Sequence, residues 1–480
     1  MLPPAVASWL HDHLGFIPDN LLLAVGLAFA AAVTVHVLLD KRDIGSSIGW
    51  VGLAWLSPIL GGVVYFVFGV NRVRRRARSL RDSQRHGTGR YAPTGSDRDD
   101  HLAALERAAL RITGRPPEAG NAVRVLHHGD EAYPEMLAAI GAARVSIALS
   151  SYILRADSAG EQFIAALTQA QSRGVAVRVL IDGIGGGYFI SPAYRRLRRA
   201  GVPAARFLHS PLPWRMPFLN LRTHKKVLVV DGTVGFSGGM NISAQNVLRL
   251  NPRAPVRDTH FRWDGPVVRQ LVEAFAADWQ FTTDETLDGP AWYPDLAGAG
   301  DAVVRVVTSG PDQDLEKILF LVLSAISCAR DSIRLMTPYF LPDERLVTAL
   351  ALAAMRGVAV DVIVPRHSDH RIVDWATRAQ VGPMLDHGCR LWLNPPPFDH
   401  SKIMVVDGSW CLVGSSNWDM RSFRLNFELD LEAYHSDLAT ELQVLMRSCM
   451  AEQVTTADLE RRLLPTRLRD AAVRLMLPYL

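Results

Sequence analysis

Two apolar runs open the chain, and beyond a polar stretch an alternation of apolar strands and amphipathic helices is written twice. Leu21 to Leu39 is 19 residues without a formal charge, interrupted only by Thr34 and His36; Trp50 to Val70 is 21 residues, again uncharged. At about 1.5 Å per residue, each run is long enough as a helix to cross a hydrocarbon core of roughly 30 Å. The segment between them, Asp40 to Gly49, is polar and holds Gly45 and Gly49, so it predicts a turn and the runs predict a hairpin. Met1 to Asn20 contains neither Lys nor Arg, which a cleaved leader would place ahead of its apolar stretch. Arg72, Arg74, Arg75, Arg76, Arg78 and Arg81 follow the second run, and the positive-inside tendency puts the rest of the chain on the cytoplasmic side. A pair of core helices, or a hairpin lying in one leaflet, is the alternative reading. Ser79 to Asp100 is rich in Ser, Arg, Gly and Asp without an apolar period, and predicts a linker near anionic head groups.

Beyond the linker, Val145–Ser146–Ile147–Ala148–Leu149 leads to Ser151–Tyr152–Ile153–Leu154, then to a helical stretch and Arg173–Gly174–Val175–Ala176–Val177. Later, Ser332–Ile333–Arg334–Leu335 leads to Pro338–Tyr339–Phe340–Leu341, another helical stretch and Arg356–Gly357–Val358–Ala359–Val360. The string RGVAV stands in both copies. Short strands of β-branched residues alternating with helices of about 15 residues predict an α/β fold around a buried, largely parallel sheet. Two copies, and not more, predict two like domains rather than a solenoid.

Composition narrows the class without deciding it. Hydrophobic residues are 49% of the chain, charged ones 21%, and the formal charge is only +4, so the whole protein is no polybasic nucleic-acid binder. Cys328, Cys389, Cys411 and Cys449 form no CxxC pair and no Cys/His cluster. That argues against a zinc site and a disulfide scaffold, and suits a reducing compartment.

Each copy of the repeat ends in one constellation. The first reads His224–Lys225–Lys226, Asp231 and Gly238–Gly239–Met240–Asn241; the second reads His400–Ser401–Lys402, Asp407 and Gly414–Ser415–Ser416–Asn417. The spacings are identical, two from histidine to lysine, five to aspartate and seven to glycine. On an extended segment, residues two apart share a face, so each His/Lys pair can address one phosphate. An imidazole with one nitrogen free is a competent nucleophile near neutral pH, and a second, protonated one can serve the leaving alcohol. Lys226, Lys402, Asn241 and Asn417 supply charge and donors for the non-bridging oxygens. One motif gives half of this set, and two facing each other give all of it. Asp231 and Asp407, each followed by glycine, read as turn residues with a structural bond to make. Each histidine needs an acceptor for its other nitrogen, and Asp258 and Glu428, at similar places in the two copies, are the candidates, with ordinary surface carboxylates as the alternative reading.

These residues resemble the signature of the phospholipase D superfamily, HxKx₄Dx₆GSxN. The second copy matches throughout, and the first departs once, with Gly239 where the signature has serine, as at Ser415. The departure predicts one hydroxyl fewer in the phosphate pocket. Within the superfamily the chain resembles the bacterial cardiolipin synthases, through the hairpin and its arginines, Asn220–Leu221–Arg222, Gly238–Gly239–Met240–Asn241–Ile242, and Trp418–Asp419–Met420–Arg421–Ser422 running on to Asn426–Phe427–Glu428. The resemblance implies two αβα sandwich domains related by a pseudo-twofold axis, behind the transmembrane hairpin. It implies phosphatidyl transfer between two phosphatidylglycerol molecules through a phosphatidyl-histidine, with His224 as nucleophile and His400 as acid/base, and with neither metal nor nucleotide. The near symmetry of the motifs leaves either order of the histidines open.

The expected organisation is therefore a hairpin over 1–71, a basic linker and connecting helix over 72–118, and domains over 119–295 and 296–480. The expected setting is the bacterial inner membrane with cytoplasmic catalytic domains, anionic lipid as partner and no nucleic acid. A hydrolase of the same superfamily, with water as acceptor, is the competing activity, and a non-catalytic lipid-binding protein the competing class; both motifs are intact, which speaks against the latter. Phe207 to Arg222, apolar and proline-rich, reads as a lid dipping into the interface or as a buried loop. Leu459 to Leu480, leucines among arginines, reads as a membrane-surface segment or as a helix packed on the second domain. Asp182 to Gly187 reads as a plain turn, with a head-group cradle as the alternative.

Overall fold

A computed structural model describes residues 19–40, 44–66, 100–209, 221–311 and 314–475. The chain divides into two compact units, Met1–Arg76 and Ala77–Leu480.

In the first unit one helix, Asp19–Asp40, covers the first apolar run. The second run departs from expectation twice. Its helix begins at Ile44, inside the segment expected to be a turn, and it ends at Leu56, with a separate helix over Pro58–Val64. The break lies at Pro58, whose ring removes an N–H and crowds the preceding turn, leaving Ser57 non-helical at φ −143°, ψ 79°. Ala30, Val33, Val37, Ala54 and Tyr65 form the interior of this hairpin. Its polar groups bond in pairs across the helices: His36 Nδ1 lies 2.6 Å from the Tyr65 hydroxyl, and Trp55 Nε1 donates to Thr34 Oγ1 at 3.0 Å. Leu23, Val35, Leu38, Ile48, Leu56 and Leu60 point out. Among the described residues no helix is long and apolar enough to cross a membrane. The arginines of 72–81 and the expected linker lie outside the described residues.

In the second unit the duplication becomes one sheet. The first half contributes β1 (Glu118–His127), β2 (Ser146–Ser151), β3 (Ala176–Asp182), β4 (Ala204–Phe207), β5 (Arg222–Thr223), β6 (Val227–Val230), β7 (Val234–Gly238), β8 (Val256–Arg257) and β9 (Thr259–Asp264). The second contributes β10 (Ala302–Ser309), β11 (Ser332–Met336), β12 (Phe340–Leu341), β13 (Ala359–Pro365), β14 (Arg390–Asn394), β15 (Phe398–Asp399), β16 (Ile403–Val406), β17 (Trp410–Gly414), β18 (Trp418–Asp419), β19 (Asn426–Tyr434) and β20 (Glu452–Val454). The order β4-β3-β2-β6-β7-β9-β1 is mirrored by β10-β19-β17-β16-β11-β13-β14, and β1 pairs antiparallel with β10 at the centre. The halves therefore share a backbone ladder instead of standing as separate bodies.

The sheet is mixed, not largely parallel. Along the main path of the sheet β2, β3 and β4, and their counterparts β11, β13 and β14, run parallel, and every other neighbouring pair is antiparallel. The motif strands β6 and β16 are antiparallel to β2 and β11 on one side, and on the other to β7 and β17, to which short hairpins join them. Helices cover both faces. In the first half His128–Ala142 and Ser158–Ser172 pack on the Ile147, Leu149, Val177 and Val179 face. Val268 and Leu271, on the helix Val267–Thr283, pack against Gly235 on the other. The helix Ala103–Thr113, expected to connect linker and first domain, buries Leu105 and Ala109 in the core of the second half.

The repeated RGVAV has a local cause. Gly174 and Gly357 adopt φ +88° and +93°, where an L side chain is strained, and end the helices Ser158–Ser172 and Glu344–Met355. Val175 N and Val358 N bond back to Ala170 O and Ala353 O, after which the chain enters β3 or β13. The arginine ahead of each glycine reaches the end of an earlier helix, Arg173 to Ile140 O and Arg356 to Ile326 O.

At the C-terminal end, Pro465 sits in the first turn of a helix, Leu464–Arg474, and does not interrupt one. Asp470 is fully buried and takes Arg462 and Arg469, while Arg469 also stacks 4.1 Å above Trp375. The helix thus packs on Arg371–Gln380 of the second half. Of the expected lid, residues 210–220 lie outside the described residues.

Candidate active site

Each motif histidine is placed by a strand pair that crosses between the halves. β5, just before His224, pairs in parallel with the start of β19, and β15, just before His400, pairs with β8. The ladder continues into the histidines, with His224 N donating to Phe427 O and His400 N to Arg257 O, both at 2.8 Å. The residue after each acceptor is an acid. His224 Nδ1 is 3.0 Å from Glu428 Oε2, and His400 Nδ1 is 2.9 Å from Asp258 Oδ2. The expected orienting acids are therefore both engaged, each by the histidine of the opposite half. A backbone carbonyl adds a second acceptor to each ring, Ser415 O at 3.0 Å for His224 and Gly239 O for His400.

The two imidazoles face each other with ring centroids 6.5 Å apart and planes at 80°. With Nδ1 committed to an acceptor, each Nε2 remains for chemistry. Lys226 and Lys402 are buried, each bonding through Nζ to the carbonyl of its own motif histidine, at 2.6 Å from His224 O in the first case. Burial, with Lys226 and Lys402 close by, holds both imidazoles well below the ordinary histidine value, which favours their neutral form. Burial also lowers the ammonium groups, to about 7 for Lys226 and about 8 for Lys402, and raises the Asp258 and Glu428 carboxyls.

Asp231 and Asp407 stand apart from this chemistry. Both hold φ near +50°, ahead of a glycine, at the far end of the motif strand from the histidine. Asp231 accepts from Arg144 N, Val145 N and Ser146 N at 2.8 to 3.0 Å, and Asp407 from Arg330 N, Asp331 N and Ser332 N at 2.8 to 2.9 Å. Each clamps the motif hairpin to the start of the neighbouring strand, and His101 adds a bond to Asp407 at 2.7 Å.

Gly239 and Ser415 each lie against an orienting acid. The Ser415 hydroxyl donates to Glu428 Oε2 at 2.5 Å and accepts from Leu429 N, so it braces the orienting acid. A Cβ on Gly239 would lie 2.5 Å from Asp258 Oδ1, which leaves no room for a serine beside that acid. The asymmetry between the halves thus falls on the orienting acids. Asn241 Oδ1 accepts from Ile153 N at 3.2 Å, whereas Asn417 Oδ1 is buried with no partner among the described residues.

Four further side chains complete the site. Tyr152 stands edge-on to His224 at 5.0 Å, under Lys226 Nζ at 5.4 Å, and its hydroxyl accepts from Arg222 at 2.9 Å. Tyr339 and Phe398 lie 6.2 and 6.0 Å from His400. The tyrosines occupy matching places in the repeat strings SYIL and PYFL, the signal by which they could have been found. Asp182 Oδ1 holds Ile184 N and Gly185 N, which fits a plain turn, and its Oδ2 accepts from Thr223 N at 2.8 Å, next to His224.

The family described as cardiolipin synthase, PLD-like domain, matches residues 136–279 and 322–450, and one described as phospholipase D-nuclease N-terminal matches 28–69. A cardiolipin synthase of a Geobacillus species is 32% identical over 96% of this chain and 93% of its own length. The major cardiolipin synthase of Bacillus subtilis is 31% identical over 96% and 97%, and cardiolipin synthase A of Pseudomonas aeruginosa 33% over 92% of each. Among solved structures, a phosphatidylserine synthase from Haemophilus influenzae aligns over 78% of this chain and all of its own with a TM-score of 0.61, at 15% identity, a likeness of fold alone. The chain belongs to the cardiolipin synthase family of phospholipase D-like proteins.

Proposed function

We propose that the chain is a phosphatidyltransferase that makes cardiolipin and glycerol from two phosphatidylglycerol molecules. The observation that carries this is the facing pair of neutral, carboxylate-held imidazoles between two buried lysines. His224 Nε2 attacks the phosphorus of the first lipid; His400, which takes up a proton at Nε2 when the negatively charged phosphodiester binds beside it, gives that proton to the glycerol oxygen as its bond to phosphorus breaks. The hydroxyl of the second lipid then loses its proton to His400 and attacks the phosphatidyl-histidine, releasing His224 and completing the new diester. Lys226, Lys402 and Asn417 stabilise the charge on the non-bridging oxygens. His224 is assigned the nucleophile's role because Glu428, braced by Ser415 Oγ and by Asn426 Nδ2 at 3.0 Å, fixes its ring most firmly.

The amino-terminal hairpin is proposed to seat the enzyme in the bacterial inner membrane as two spans, with the catalytic unit on the cytoplasmic face and anionic lipid as its partner. Its apolar side chains point outward while His36, Tyr65, Thr34 and Trp55 bond one another, the arrangement expected in hydrocarbon.

Purified enzyme given labelled phosphatidylglycerol is expected to release glycerol and accumulate labelled cardiolipin; phosphatidic acid as the only lipid product would replace this reading with hydrolysis. For the histidines, a phospho-enzyme is expected to accumulate on His224 in His400→Ala. Label on His400 in His224→Ala, and none on His224 in the reciprocal variant, would reverse the assignment.

A further inference from the structure

The loop after β3 carries two of the most exposed apolar side chains of the catalytic unit. Phe189 is 78% and Ile190 61% exposed. Their backbone is nonetheless braced: Arg206 donates to Gly183 O at 2.7 Å and Tyr188 O at 2.9 Å, and His209 Nε2 lies 3.0 Å from Tyr188 O. Gly187, at φ +96°, makes the turn, and a Cβ there would collide with Ile190 O. The apolar tip is thus held out by construction.

Immediately behind the tip, the helix Pro192–Arg199 buries Ala193 and Leu197 and exposes Arg195, Arg196, Arg198 and Arg199. The matching place in the second half, after β13, reads Arg366–His367–Ser368–Asp369 and has no such tip, so the fold itself does not require one. The loop also borders the active site. Asp182 ties its first amides to Thr223, beside His224, and Gly185 packs where a Cβ would strike the Tyr152 ring.

Arg196 is paired with Glu161; we propose that Phe189, Ile190, Arg195, Arg198 and Arg199 form a docking surface for an anionic bilayer, which presents the lipid to the His224 side of the site. Apolar side chains beside a dense cationic face match an acyl boundary beneath anionic head groups, a pairing that a neutral protein partner would not call for. The inference rests on the proposed use of a bilayer phospholipid, and the substrate's own negative charge supplies the complement.

The test compares full-length wild type with Phe189→Asp/Ile190→Asp on two forms of phosphatidylglycerol, vesicles and a monomeric short-chain form. Cardiolipin formation from vesicles is expected to fall at least tenfold, and turnover of the monomer to stay within about twofold. A fluorophore on Ile190→Cys, in a Cys328→Ser background, is expected to shift to the blue on reconstitution into phosphatidylglycerol vesicles. That shift should weaken in phosphatidylcholine and in Arg195→Gln/Arg198→Gln/Arg199→Gln. Equal losses on both substrates, or no spectral shift, would overturn the docking surface, as would a shift that appears only on self-association of the enzyme. A wild type that makes no cardiolipin from either substrate would refute the proposed function instead, and the fluorescence would still report on docking.

Discussion

Lys226 and Lys402 show what burial does to a cation that must meet a phosphate. An ordinary lysine keeps its proton to about pH 10.4, but these two lose theirs near pH 7 and 8 because the site desolvates them. A bound phosphodiester stabilises the charged form, so binding draws protons in. Raising the pH through 7 to 9 should therefore raise KM for short-chain phosphatidylglycerol, by up to about tenfold per unit for each lysine that must be recharged. Stability should move the other way. Between the depressed folded values and the unfolded value near 10.4 the unfolded chain binds more protons, so the unfolding free energy rises with pH across that window. Initial rates and chemical unfolding measured over the same pH series check both signs, and a KM flat to pH 10 would show that the lysines hold ordinary values in the empty enzyme.

Elements were legible in the sequence wherever a local cause set them. The helix stops at Gly174 and Gly357, the motif strands and the turn role of Asp231 and Asp407 follow from residues within a few positions. What was not legible is long-range. Nothing near β5 or β15 announces that two-residue strands from opposite halves will pair, and that pairing alone decides which acid meets which histidine. The antiparallel setting of β6 against β2 was hidden for the same reason, since its strand partners lie some 80 residues apart. Pro58 was visible, yet the uncharged run around it outweighed its effect on the helix. The element scale also separates motif residues that look alike. Asp407 secures a hairpin through three backbone amides and His101, so Asp407→Ala leaves several donors unsatisfied and should destabilise the catalytic unit by about 3 kcal/mol. Activity per folded molecule should fall far less than in Lys402→Ala, a contrast that melting curves paired with active-site titration will read.

Across the whole molecule, the crossed strand pairs make the duplicated halves interdependent. Each half holds a histidine whose carboxylate lies in the other half, and one ladder through β1 and β10 fixes the two at a common distance. An arrangement with each acid in its own half would complete two sites; this one completes a single site only when both halves are present. The energetic signature is a coupling pattern. Removing Glu428 should cost less once His224 is gone, and likewise for Asp258 and His400, because the acid left behind has already lost its bond to the histidine. Double-mutant cycles on unfolding, with His→Gln combined with Glu428→Gln or Asp258→Asn, should therefore give interaction terms of about 1–3 kcal/mol for the crossed pairs His224/Glu428 and His400/Asp258. The same-half pairs, His224/Asp258 and His400/Glu428, should be additive within about 0.5 kcal/mol. Coupling of equal size in all four pairs would mean that the site behaves as one undivided electrostatic cluster, and the crossed ladder would then explain position but not energy.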